Sequence, residues 1–116
     1  MEAASRGARE AGGLVIGLLP GASTRDANPH VDVAIATGAG EGRNVMIAST
    51  ADAFVAVGGG YGTLTEIAFA LKRGKCVVCL DSWDAGLPVR KARTPEEAVE
   101  IVSAELTAMG EDADPE

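Results

Sequence analysis

The stretch Ala53–Glu66, AFVAVGGGYGTLTE, decides the fold. Ala53–Val57 is a continuous apolar run, too short for a good helix, and reads as a buried strand. Gly58, Gly59, Gly60 and Gly62 follow as a glycine-rich turn. Thr63–Arg73 then reads as a helix, with Ile67, Ala70 and Leu71 on its apolar face at i, i+3, i+4. Gly74 closes it, and Lys75–Leu80 (KCVVCL) is a further strand. Two buried strands joined through a helix predict a parallel sheet, and so an α/β fold.

The same rhythm extends toward the N-terminus. Residues 2–11 read as a helix with Ala3, Ala4, Gly7, Ala8 and Ala11 on one small face, able to lie close to a sheet, and Gly12-Gly13 stops it. Leu14–Leu19 (LVIGLL) reads as a buried parallel strand, and residues 20–30 as a polar loop. Val31–Ala36 (VDVAIA) is a strand kept short or near an edge by Asp32. Thr37–Gly42 (TGAGEG) is another glycine-rich turn, followed by a helix from about Arg43 to Thr50.

After Leu80, residues 81–93 read as a loop holding the only tryptophan, Trp83. Thr94-Pro95-Glu96-Glu97 opens the last helix with an N-cap, a Pro at the first helical position and a Glu at the third. Ala98, Val102, Leu106 and Met109 supply its buried stripe. Gly110 is expected to end it, leaving 110–116 as an acidic, disordered tail and 1–109 as one domain.

Composition narrows the function classes. The chain has 116 residues, with 47% hydrophobic and only 3% aromatic, so small aliphatic side chains must fill the core. The net charge of −7 opposes a phosphate backbone, so nucleic acid is not an expected partner. No apolar run approaches the roughly 20 residues that span a bilayer, and the first residues have no secretory pattern. A cytoplasmic protein with no membrane association is the expectation.

The chemistry concentrates in the two turns. At a strand-to-helix junction glycine permits positive φ and close approach of a ligand. The first helical N–H groups are unpaired there, and the dipole favours an anion, so phosphate is the natural guest. Four glycines among Gly58–Gly62 exceed what a tight turn needs. A Walker lysine does not follow, nor does the usual dinucleotide fingerprint. Glu66 has two readings. It can close a capping box on Thr63, or it can place a carboxylate beside the phosphate site. In the other turn Gly38 and Gly40 share the carboxyl edge of the sheet, where ligands bind in open parallel sheets. Arg43 opposes the helix dipole unless an anion lies near, and suits bidentate phosphate contact. Pairing with Glu41 is its bland alternative.

Two further features carry less. Cys76 and Cys79 form C-x-x-C, but within a strand they point to opposite faces. That excludes the redox arrangement, and a zinc site would need further ligands. No metal ligand set is expected. His30 reads as a loop residue.

The runs GGLVIGLLPG, ANPHVDVAIATGAGEGRN and ADAFVAVGGGYGTLTEIAFALKRGK together resemble the Rossmann-like molybdenum cofactor carrier proteins and their uncharacterised bacterial and archaeal relatives. More distantly, they are similar to the LONELY GUY phosphoribohydrolases, long labelled lysine decarboxylase-like. The carrier resemblance implies a Rossmann-like parallel sheet with flanking helices and a crevice holding a phosphorylated pterin as cargo. The candidate ligand-binding residues are Gly38, Gly40, Arg43, Asn44, Gly58, Gly59, Gly60, Gly62, Thr63 and Glu66, of which Gly59, Gly60, Gly62 and Thr63 match the phosphate-binding loop of the distant enzymes. The enzyme resemblance implies hydrolysis of the N-glycosidic bond of a nucleoside 5′-monophosphate, with Glu66 and Arg43 as catalytic residues. Gly58 stands where those enzymes have Pro, and Gly-Arg-Asn where they have Arg-Lys, which favours the carrier. An inactive fragment is the third reading. The resemblance also implies a strand, helix and strand preceding Met1, about 40 residues by the size of such units. Loss of that first βαβ unit would expose apolar edges and promote homo-oligomers.

Overall fold

The structure is a computed structural model and describes residues 1–83 and 86–112. The chain forms two compact units, residues 1–43 and 44–116.

In the first unit, helix α1 (Glu2–Glu10) precedes two parallel strands, β1 (Ile16–Leu19) and β2 (Val33–Ala36). Ile16 pairs with Val33 and Leu19 with Ala36. Short 3-10 turns occupy Thr24–Asp26 and Gly40–Gly42. Asp32 explains why β2 starts at Val33. Its carboxylate accepts from the Val15 N–H at 2.8 Å, and its own N–H donates to the Val15 carbonyl, so it fixes the entry to β1.

The first unit departs from expectation. The alanine stripe of α1 buries nothing, and the helix is held instead by polar contacts. Arg9 reaches Asp32 at 3.4 Å and donates to the Pro29 carbonyl, while Asn28 donates to the Ser5 hydroxyl. His30, in the loop as expected, lies 3.8 Å from Glu2. Nor are the strands buried: Ile16, Val33 and Ile35 are 54%, 44% and 44% exposed. One helix cannot cover both faces of a two-stranded sheet.

The second unit matches the expected pattern closely. Helix α2 (Arg43–Thr50) carries the chain from the first unit into it, then β3 (Ala53–Val57), α3 (Tyr61–Lys72), β4 (Cys76–Leu80), β5 (Arg90–Ala92) and α4 (Pro95–Asp112) follow. The sheet is parallel in the order β3-β4-β5, with Ala53 opposite Cys76 and Val78 opposite Arg90.

Central strand β4 is buried on both faces. Val77 and Cys79 pack with Ile67 and Ala70 of α3, while Val78 packs with Ala92 and with Ala98 of α4. Cys76 lies against that second cluster, so the two cysteines do face opposite ways, and neither is in a disulfide. Each buried Ile or Val contributes about 1.5–3 kcal/mol.

Strand β5 lies within the expected 81–93 loop. Arg90-Lys91-Ala92 has no apolar alternation, and only Ala92 is buried. Arg90 pairs with Glu105 at 3.1 Å. The last helix opens as its sequence predicts: Thr94 Oγ1 accepts from the Glu97 N–H at 3.1 Å. The Glu97 carboxylate closes the box one residue early, on the Arg93 N–H. The helix runs through Gly110 to Asp112, so Gly110 does not end it. Of the expected tail, residues 113–116 lie outside the described residues.

Candidate functional site

The glycine turn of the second unit continues β3 directly. Gly58 (φ 56°) donates its N–H to the Leu80 carbonyl at 3.1 Å, one more rung beyond the Val57–Leu80 pair. Gly59 has φ 100°, and a Cβ there would overlap the Thr63 side chain, with Cγ2 at 2.8 Å. The φ of Gly58 favours glycine, and Gly59 requires it on both counts.

Helix α3 begins at Tyr61, two residues before the expected start. Gly60 is therefore the N-cap and has no side chain with which to cap. Its carbonyl accepts the first helical bond, from Leu64 at 3.2 Å. The amides of Tyr61, Gly62 and Thr63 precede that bond and lie in the positive end of the helix. Among the described residues, a Cβ on Gly60 or Gly62 would meet nothing within 4 Å.

This start corrects the capping-box reading. Thr63 occupies the third helical position and packs on Gly59, and Glu66, at the sixth, is half-buried in the second turn. Asn44 is buried at 5% exposure and donates its amide to the Gly62 carbonyl at 3.3 Å. It thereby braces the turn from α2.

Sequence reasoning missed Trp83 as a site residue. It follows β4, and its Nε1–H donates to the Gly60 carbonyl at 2.9 Å. Its ring stacks on Tyr61, with centroids 5.9 Å apart and planes inclined by 24°. The available signal was its position just beyond the carboxyl end of a central strand, where ligands approach parallel sheets. Two other features mark this segment. Asp81 has φ 55°, uncommon outside glycine, and the buried Ser82 hydroxyl has no hydrogen-bond partner among the described residues.

The turn of the first unit is built differently. Gly38 (φ 62°) and Gly40 (φ 57°) donate their amides to the carbonyls of Gly21 and Pro20, each at 2.9 Å. Thr37 bonds the Leu19 carbonyl through both its N–H and its hydroxyl. Ala39 donates to the Thr37 hydroxyl, and Gly42 to Ala39. Arg43 is half-buried and donates to the Leu18 carbonyl at 2.9 Å. These donors serve the loop after β1. The two turns look alike in sequence, yet the amides of Tyr61, Gly62 and Thr63 precede the first bond of a long helix, while those of Gly38, Gly40 and Gly42 are spent on nearby carbonyls.

Among the described residues, no group of three or more His, Cys, Asp or Glu could hold a metal ion, and no helix is long and apolar enough to cross a membrane. Burial pushes the Cys76 thiol pKa up, the charge of Glu105 adds to this and that of Arg90 partly offsets it, and the net effect disfavours the thiolate.

The sequence model of the SLOG cluster4 family matches residues 1–109. The chain belongs to that family. Among solved structures, the chain is similar to the molybdenum cofactor binding protein of the phototrophic bacterium Rippkaea orientalis. It is 37% identical, with a TM-score of 0.78 over 91% of this chain and 71% of that one. The molybdenum cofactor carrier protein of Chlamydomonas reinhardtii is 40% identical, with a TM-score of 0.75 over 90% and 69%. An uncharacterised protein of Archaeoglobus fulgidus is 48% identical over 100 residues. That match takes in 85% of this chain, which spans 65% of the archaeal protein's length. The α/β fold with parallel sheets and flanking helices agrees with these neighbours, as the resemblance implied.

Proposed function

We propose that this chain carries the molybdenum cofactor as cargo and binds its phosphate at the Gly58–Thr63 turn. The observation that carries the proposal is the row of leading α3 amides at Tyr61, Gly62 and Thr63, over which no side chain stands at Gly60 or Gly62. A phosphate there gains several charge-assisted hydrogen bonds together with the helix dipole. Solved neighbours that bind or carry the cofactor support the choice of cargo. Asn44, Gly38, Gly40 and Arg43 shape the loops in this reading, and Glu66 sets the charge beside the turn.

The test is expression in a host that makes the cofactor, followed by measurement of copurified molybdenum and pterin. Gly60→Asp should remain folded, because Asp is a favoured N-cap, yet its carboxylate would take the place of the phosphate. Loading is expected in the parent protein and at least tenfold less in Gly60→Asp. Equal loading of the two would overturn the phosphate assignment. Release of free base and ribose 5-phosphate from AMP, abolished by Glu66→Gln, would replace the carrier with a phosphoribohydrolase.

A further inference from the structure

We infer that Tyr61 and Trp83 form a stacking platform that selects ligands whose phosphate is joined to a fused heterocycle. The inference rests on the phosphate reading above and adds the part of the ligand that the amides cannot recognise.

Tyr61 stands between Gly60 and Gly62 and is 81% exposed. Burial does not account for an aromatic residue at this place. Its ring stacks on Trp83, with centroids 5.9 Å apart. Trp83 is held in turn at two points. One edge packs against the core cluster of Ile67, Ala70, Val77 and Cys79, and Nε1 bonds the Gly60 carbonyl. The platform is thus tied to the same residue that caps the phosphate-facing helix. Anchoring of Trp83 before a ligand arrives lowers one cost of binding. The Tyr61 amide is one of the three leading donors, so a phosphate on that amide brings its attached group toward the ring of the same residue. Flat heterocycles gain from such a ring, whereas acyclic or purely sugar phosphates do not.

Trp83 is the only tryptophan, so its emission reports events at the platform alone. The full chain is titrated with GMP, a pterin monophosphate and ribose 5-phosphate, with affinities from calorimetry. At least one heterocyclic phosphate is expected to quench Trp83 and to bind about tenfold more tightly than ribose 5-phosphate. Tyr61→Ala, at an exposed position, should reduce that affinity to the ribose 5-phosphate level. Tyr61→Phe should restore the difference. Equal affinity for all three probes, binding of none of them, or an unaltered preference in Tyr61→Ala would overturn the platform. The two readings fail separately. Ribose 5-phosphate binding that is lost in Gly60→Asp but indifferent to Tyr61 leaves the phosphate site standing without the platform. Heterocycle binding lost in Tyr61→Ala but retained in Gly60→Asp does the reverse.

Discussion

The Thr63 side chain fills the space in which a Cβ on Gly59 would stand. The turn therefore depends on glycine at this position for two reasons, the overlap and the φ of 100°. Gly59→Ala is expected to destabilise the protein by about 1–3 kcal/mol, read as a lower urea midpoint. Gly60→Ala adds a methyl to open space at an ordinary φ and should cost less than about 1 kcal/mol. Gly59→Ala combined with Thr63→Ala should recover part of the loss, the remainder being backbone strain. Equal effects of the two single changes would refute this account of the turn.

The bond from Trp83 Nε1 to the Gly60 carbonyl gives a second expectation. Trp83→Phe keeps an aromatic ring but removes the donor. Gly60 still accepts from Leu64, so its carbonyl is not orphaned. The loss should be modest, about 0.5–1.5 kcal/mol in denaturant unfolding. A much larger loss would mean that Trp83 acts through packing rather than through this bond.

Much of this was legible in the sequence because β4 and its flanking helices obey one consistent pattern. Val77, Val78 and Cys79 form a run that only a strand covered on both faces can bury, and the structure buries them on α3 and α4. Arg90–Ala92 escaped because an edge strand takes its place from backbone pairing with Val78–Leu80, which leaves no hydrophobic signature. The difference between the two glycine turns was also hidden. It depends on where the Gly38 and Gly40 amides find carbonyls, a long-range matter set by Pro20 and Gly21. Trp83 is near Tyr61 and Gly60 only through the parallel pairing of β3 with β4, so local sequence gave no reason to join them.

The N-terminus of α4 offers a direct test of capping. Thr94 Oγ1 accepts from Glu97, whose carboxylate accepts from Arg93. Thr94→Ala should cost about 1 kcal/mol, and Thr94→Ser or Thr94→Asp should retain most of the stability. Glu97→Gln keeps an acceptor and should fall between them. Unfolding monitored by circular dichroism would show the order, and no difference between Ala and Ser would contradict the cap.

Cys76 predicts the alkaline side of the stability profile. Its folded pKa is raised, mainly by burial, so the folded state holds the thiol proton more tightly than the unfolded state. The contribution is fully present below the unfolded thiol value, about 8.5, and is lost as pH rises through the folded value. Unfolding free energy should therefore decline above about pH 8.5. Cys76→Ala should flatten that decline, and thiol-reagent labelling of Cys76 should be slower than that of a free cysteine at the same pH. An unchanged slope in Cys76→Ala would assign the alkaline loss to other groups.

The exposed face of the first unit predicts association. Ile16, Val33 and Ile35 lie in the paired register of β1 and β2, each at least 44% exposed. A two-stranded sheet with an uncovered apolar face is marginal alone and gains by burying that face. Light scattering is expected to show mass rising with protein concentration. Substituting lysine at Ile16 and Ile35 places charge on the face without altering strand pairing, since both side chains already meet solvent. That variant should shift toward monomer. A parent protein that stays monomeric across the concentration series would show that this face is not used between copies of the chain.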